Sequence, residues 1–122
     1  MIKKRILIAD DVDLNRDLMV QILETEYEVM VAIDGEEAVK KAEMEKPDLI
    51  LMDLRMPVLD GWEATKRIKT THDLKGIPVI AITSHAMVGD ETKAREIGCD
   101  DYLAKPIDED VLLSKIRRIL GG

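Results

Sequence analysis

Five short, unbroken apolar runs constrain what this chain can fold into more than any other feature. They occupy residues 6–9, 29–33, 49–52, 79–82 and 102–104. Each is too short for a helix and too continuous for a strand with one wet face, so each reads as a strand buried on both sides. Between the runs, apolar residues recur at helical spacing. Leu14, Leu18, Met19, Ile22 and Leu23 mark a first helix, and Ala38, Val39 and Ala42 a second. Ala64 and Ile68 mark a third, residues 86–97 a fourth closed by Gly98, and Val111, Leu112, Ile116 and Ile119 a fifth. Asp34-Gly35 and Asp60-Gly61 are turn signals, Pro47 stops the second helix, and Asp108 can cap the last. Strand and helix therefore alternate five times. That order implies an α/β domain, a parallel sheet covered by helices on both faces. Right-handed crossovers leave few topologies open to it.

A chain of 122 residues fits one domain, residues 1–122, with no room for a separate output domain. The core must be aliphatic, because there is no Phe, one Trp and two Tyr, with seven Met as adaptable filler. The same scarcity argues against binding single-stranded nucleic acid by stacking. A formal charge of −7 disfavours duplex DNA and anionic membrane surfaces as direct ligands. A single cysteine, Cys99, excludes an internal disulfide and is expected to be a buried, inert thiol. No signal peptide and no apolar run of membrane-spanning length is found, so the expected compartment is cytoplasmic.

In an open parallel sheet, ligands bind beyond the carboxyl ends of the strands. The residues just past each apolar run are therefore informative. Asp10 and Asp11 come after the first, Asp53 after the third, Thr83 after the fourth and Lys105 after the fifth. Clustered carboxylates repel one another and favour a bound divalent cation, and hard oxygen donors select Mg²⁺, or Mn²⁺. Phosphoryl transfer needs an aligned nucleophile and positive charge around the moving oxygens. Asp53 could be the nucleophile, Lys105 and a metal on Asp10 and Asp11 the electrophiles, and Thr83 a donor to the attached phosphoryl group. Taken singly, each residue has a plainer reading. The acid pair and Asp53 suit turns and caps, Thr83 suits a strand, and Lys105 suits a solvated surface.

The segments IADD (8–11), LMDLRMPVLDG (51–61), AITSHAM (81–87) and YLAKP (102–106) resemble the signature blocks of two-component response-regulator receiver domains. The similarity spans essentially the whole chain. It implies a doubly wound, flavodoxin-like (βα)5 fold with strand order 2-1-3-4-5. It implies that Asp53 is phosphorylated and that Asp10, Asp11, Asp53 and the Arg55 backbone carbonyl hold Mg²⁺. Thr83 becomes the switch hydroxyl, Tyr102 the aromatic switch, Lys105 the phosphoryl-binding cation, and Pro106 follows a cis peptide bond. The implied partners are a histidine kinase or histidine phosphotransfer protein, and a downstream protein bound through the face of helix 4, strand 5 and helix 5. The implied protein is a phospho-acceptor switch and not an enzyme for outside substrates. It catalyses only its own phosphoryl transfer and autodephosphorylation.

Leu14, Asn15 and Leu18 are candidates for docking the phosphohistidine donor, with core packing the plainer role for the two leucines. His85 and Arg55 are candidates for gating water at the phosphoryl group, while His72 reads as a surface residue and Trp62 as helix packing. Two other activities share parts of the pattern. Asp11-Val12-Asp13 partly resembles the nucleophile motif of haloacid-dehalogenase-type phosphatases, but Asn15 stands where that family prefers a hydroxyl. A flavodoxin-like electron carrier would need a hydroxyl-rich phosphate loop where Asp10 and Asp11 stand. A receiver that only binds and is never phosphorylated would usually lack one of the key residues, and none is missing.

Overall fold

A computed structural model gives the architecture and describes residues 2–84 and 87–121. Strands and helices alternate as β1 (Arg5–Ala9), α1 (Asp13–Leu23), β2 (Glu28–Ala32), α2 (Gly35–Glu45), β3 (Leu49–Asp53), α3 (Gly61–Thr70), β4 (Val79–Thr83), α4 (Asp90–Glu96), β5 (Asp101–Ala104) and α5 (Glu109–Leu120). The five strands form one parallel sheet in the order β2-β1-β3-β4-β5. The chain reverses winding direction at β1, so β1 and β3 are neighbours whose connections leave on opposite sides. The crevice between their carboxyl ends is where such a sheet places its ligands.

Strand alternation divides the core into two layers. Ile6, Ile8, Leu49, Leu51, Ile80 and Ile82 pack with Met19 and Leu23 of α1 and Leu112 and Ile116 of α5. Leu7, Ala9, Ile50, Met52, Val79 and Ala81 point the other way, toward Ala38 and Ala42 of α2, Ala64 and Ile68 of α3, and Ala94 of α4. Alanines dominate the helix side of that second layer. Their small side chains let the helices sit close against the larger strand residues. Both faces of β3 and β4 are fully buried, as unbroken apolar runs require. Among the described residues no helix is long and apolar enough to cross a membrane.

Helix boundaries follow their local chemistry. Asp34, Asp60 and Asp108 each accept a hydrogen bond from the amide three residues on, at 2.8, 2.9 and 3.1 Å, and so cap α2, α3 and α5. The fourth helix departs from the sequence pattern, which starts it at Ala86. The structure starts it at Asp90, and Ala86 lies outside the described residues. Gly89 has φ +91, a left-handed conformation that a right-handed helix cannot contain, and the Met87 amide donates to the Asp90 carboxylate at 3.1 Å. Gly-Asp therefore ends a turn here and leaves a helix of 7 residues.

The apolar stripe of α1 is also narrower than its periodicity suggests. Met19 and Leu23 are buried, whereas Leu14 is 68% and Leu18 51% exposed. Core packing is thus not the role of those two leucines.

Candidate functional site

The carboxyl ends of β1, β3, β4 and β5 bring together Asp10, Asp53, Thr83 and Lys105 because the parallel register aligns those ends. Ala9 pairs with Met52, Asp53 with Ile82, and Thr83 with Ala104. Asp10, Asp53 and Thr83 are buried, while Asp11 is exposed at the rim. Asp10, Asp11 and Asp53 each direct one carboxylate oxygen to a common region, with those oxygens within 4.8 Å of one another. Lys105 reaches in from the β5 end. Its Nζ donates to Asp10 Oδ2 and Asp53 Oδ2, both at 2.9 Å.

The local backbone fixes these acids. Asp10 Oδ1 accepts from the Val12 amide at 2.9 Å, and Asp53 Oδ1 from the Arg55 amide at 2.9 Å. The Lys105 amide donates to the Thr83 carbonyl at 2.7 Å, and the Lys105–Pro106 peptide bond is cis. Gly61, the first residue of α3, lies against the Asp53 backbone. A β-carbon there would sit 2.0 Å from the Asp53 carbonyl oxygen. Only glycine permits that approach, so the start of α3 seats the end of β3.

Burial and the neighbouring charges together set the direction in which each pKa moves. Burial pushes the Asp53 carboxyl above its ordinary range; the Arg55 amide and Lys105 work against this, and the charge of Asp10 adds to it. Burial disfavours the Lys105 ammonium, but its hydrogen bonds to Asp53 and Asp10 more than compensate and raise its pKa. Three carboxylates face one ammonium, so the cluster retains unbalanced negative charge. An all-oxygen, acid-rich donor set is what a hard divalent cation such as Mg²⁺ prefers. The residues present fit such an ion.

Residues 6–117 match the family model of the response regulator receiver domain. The chain belongs to that family. It is 40% identical to the polar-differentiation response regulator DivK of Brucella anthropi over 119 residues, which cover 97% of each chain. The receiver domain of the sensor histidine kinase PA1611 from Pseudomonas aeruginosa, solved with a magnesium ion coordinated in its active site cleft, superposes with a TM-score of 0.90. That pair is 36% identical over 98% of this chain and 99% of the other. The chemotaxis protein CheY4 of Vibrio cholerae gives a TM-score of 0.89 at 29% identity, covering 96% and 98%. The flavodoxin-like order 2-1-3-4-5 that the resemblance implies is the order observed.

Around this receiver cleft, the other residues singled out from sequence fall in several places. Tyr102 packs against the α2–α3–α4 layer, and its hydroxyl is buried with no hydrogen-bond partner among the described residues. Arg55 is exposed beside Asp53, His72 is exposed far along the chain, and His85 lies outside the described residues. Trp62 packs against the same layer with Lys93 Nζ 4.6 Å from its ring centroid. Cys99 is buried, and burial pushes its thiol up to about 11, as an inert core residue requires. Asn15 and Leu18 line an apolar hollow of about 190 Å³ with Met19, Ile22, Lys105, Pro106 and Ile107, whereas Leu14 is not among its lining residues.

Three features lie outside the sequence expectations. Arg16 donates from Nη1 to the Asp10 carbonyl at 2.8 Å and pairs through Nη2 with Asp13. Its i,i+3 spacing from Asp13 was the available signal. Val58 has φ +67, unusual for a β-branched residue, in a tight turn where the Leu59 amide donates to the Pro57 carbonyl at 2.7 Å. Asp101, at the start of β5, is buried and carries three cations: Lys115 at 3.1 Å, Arg95 at 3.3 Å and Arg118 at 2.5 Å. No local motif announces either of the last two.

Proposed function

We propose that this receiver accepts a phosphoryl group on Asp53 from a phosphohistidine of a histidine kinase or histidine phosphotransfer protein, and signals through phosphorylation-dependent binding to another protein. The observation that carries the reading is the Lys105 ammonium held at 2.9 Å from both Asp53 and Asp10 within a three-carboxylate cluster. In this reading Asp53 Oδ attacks phosphorus, and the P–N bond to histidine breaks. Lys105 then balances charge on the transferring oxygens. Asp10, Asp11, Asp53 and the Arg55 carbonyl would hold Mg²⁺ (Mn²⁺ as a substitute), which when bound supplies further charge neutralisation. The backbone donors to Asp10 and Asp53 keep both carboxylates aimed without reorganisation.

Once the acyl phosphate forms, Thr83 turns its hydroxyl to the new oxygens and the population shifts to Tyr102 swung inward, changing the surface of α4, β5 and α5. Burial of the Tyr102 hydroxyl supports an inward position that the unphosphorylated chain already visits. Autodephosphorylation returns the switch, with Arg55 and His85 gating water. Exposed Leu18 and half-buried Asn15, which line that hollow together with Lys105, support a donor-docking role for it, and Leu14 is exposed on the same helix. The protein acts in the cytoplasm, without direct contact with nucleic acid or membrane.

The test is incubation with acetyl phosphate or phosphoramidate, with and without Mg²⁺, read by intact mass. A gain of one phosphoryl group in the native chain, lost without Mg²⁺ and in Asp53→Asn, is expected. Absence of Mg²⁺-dependent labelling from any donor overturns the reading.

A further inference from the structure

The first helix begins without the usual device. Its N-cap is Val12, in extended conformation, and no side chain there accepts a helix amide. Valine is among the poorest N-caps, and the other long helices on the site's flanks use aspartate instead. The turn from β1 to α1 nevertheless carries Asp10 and Asp11, whose placement decides whether the carboxylate cluster can close on a cation.

Arg16 does not cap the helix amides but holds the turn from the other side, as a donor to its oxygens. Its side chain is only 14% exposed, although it closes the first turn of a surface helix that begins at an exposed Asp13. One arm of the guanidinium donates to the Asp10 carbonyl and the other pairs with the Asp13 carboxylate at the helix start. Asp10 is then held at every polar atom. Its amide donates to the Ala32 carbonyl at 3.1 Å, and its carbonyl accepts from Arg16. Its two carboxylate oxygens take the Val12 amide and Lys105. Of these restraints, Arg16 alone ties the acid-bearing turn to the body of α1. A planar fork can bridge a carbonyl and a carboxylate at once, and an ammonium cannot match that geometry.

We infer that Arg16 is a positioning residue for the divalent-cation site, clamping the β1–α1 turn so that Asp10 and Asp11 face Asp53. This rests on the metal-dependent reading above. Partners outside the ligand set typically contribute about 10–100-fold to metal affinity by orienting the ligands.

The experiment measures Mg²⁺ binding to the unphosphorylated protein by calorimetry, and Mn²⁺ binding by the loss of free-ion paramagnetic resonance signal. It compares native, Arg16→Lys, Arg16→Ala and Asp13→Asn, each checked by thermal unfolding. Arg16→Lys keeps the charge and loses the fork, so both Arg16 variants should weaken binding about tenfold or more, and Asp13→Asn by less. The labelling rate at saturating Mg²⁺ should stay near native, with the half-saturating concentration raised. Folded Arg16 variants binding within about twofold of native would overturn the inference, as would tighter binding in Arg16→Ala, which would make charge and not orientation the active property. Failure of both Arg16 variants to fold, with native affinity in Asp13→Asn, also counts against it. A native chain that binds neither ion would remove the metal-dependent reading itself.

Discussion

Replacing Asp101 with alanine should cost this receiver a large part of its stability while leaving the phosphorylation cleft intact. Asp101 opens β5 at the end of the sheet away from the cleft and is 1% exposed. Its carboxylate accepts from the Tyr102 amide at 2.8 Å and pairs with Arg95 of α4 and with Lys115 and Arg118 of α5. One buried acid thus ties two helices to an edge strand. A hydrogen bond to a charged group contributes about 1.5–3 kcal/mol, and breaking a buried ion pair costs about 3–5 kcal/mol. Arg118 and Arg95 are 70% and 48% exposed, so they regain water when the carboxylate is removed, which holds the loss below the upper figure. The expected loss is about 2–4 kcal/mol, a fall in Tm of roughly 8–15 °C at this chain length.

The pH dependence gives a second handle on the same residue. Burial raises the Asp101 pKa, but the Tyr102 amide, Lys115 and Arg118 together outweigh burial and hold it below the usual carboxylate range. A depressed folded pKa stabilises the fold above the unfolded value and loses that contribution as pH falls through the folded one. Urea unfolding of native and Asp101→Asn protein, from about pH 7 to about pH 3, should therefore show a gap that is full at neutral pH and narrows in acid. A loss under about 0.5 kcal/mol in Asp101→Ala, or a native-to-Asn gap indifferent to pH, would refute the reasoning.

Three further outcomes rest on particular contacts. Gly61→Ala drives a β-carbon into the Asp53 carbonyl, so it should cost about 2 kcal/mol or more and cut the acetyl phosphate labelling rate of the folded fraction. Unchanged labelling would mean that the start of α3 does not seat Asp53. Val58→Asn relieves a β-branched residue held at φ +67 and should raise stability by about 1 kcal/mol, read by thermal unfolding, since asparagine tolerates this conformation better. Tyr102→Phe removes a buried hydroxyl that has no partner among the described residues, and should leave Tm unchanged or raised; a marked fall would show that the hydroxyl is hydrogen-bonded in solution.

Much of this architecture was legible because two independent periodicities alternate along the chain. Unbroken runs such as 49–52 can only be doubly covered strands, and acids or a lysine directly after such runs must meet once the strands are parallel. Asp108 announced its helix by local capping chemistry, whereas Asp34 and Asp60 read only as turn signals and prove to cap α2 and α3 as well. Periodicity could not tell that Leu14 and Leu18 face outward, because an apolar stripe looks the same whether it meets a core or a partner. The late start of α4 depends on the left-handed backbone of Gly89, which helical spacing alone does not register. Arg16 showed only its i,i+3 spacing from Asp13 and not its contact with the Asp10 carbonyl, and Asp101 meets cations up to 17 residues away and left no local motif. Val58 carries no glycine or asparagine to mark its unusual backbone.

The most direct test of the account is to locate the phosphoryl group itself. Native protein labelled with acetyl phosphate and Mg²⁺, then reduced with borohydride, should yield one homoserine in place of aspartate, and peptide mass mapping should place it at position 53. Homoserine at position 10, 11 or elsewhere, or none at all despite a phosphoryl mass gain, would contradict the assignment of Asp53 as the acceptor.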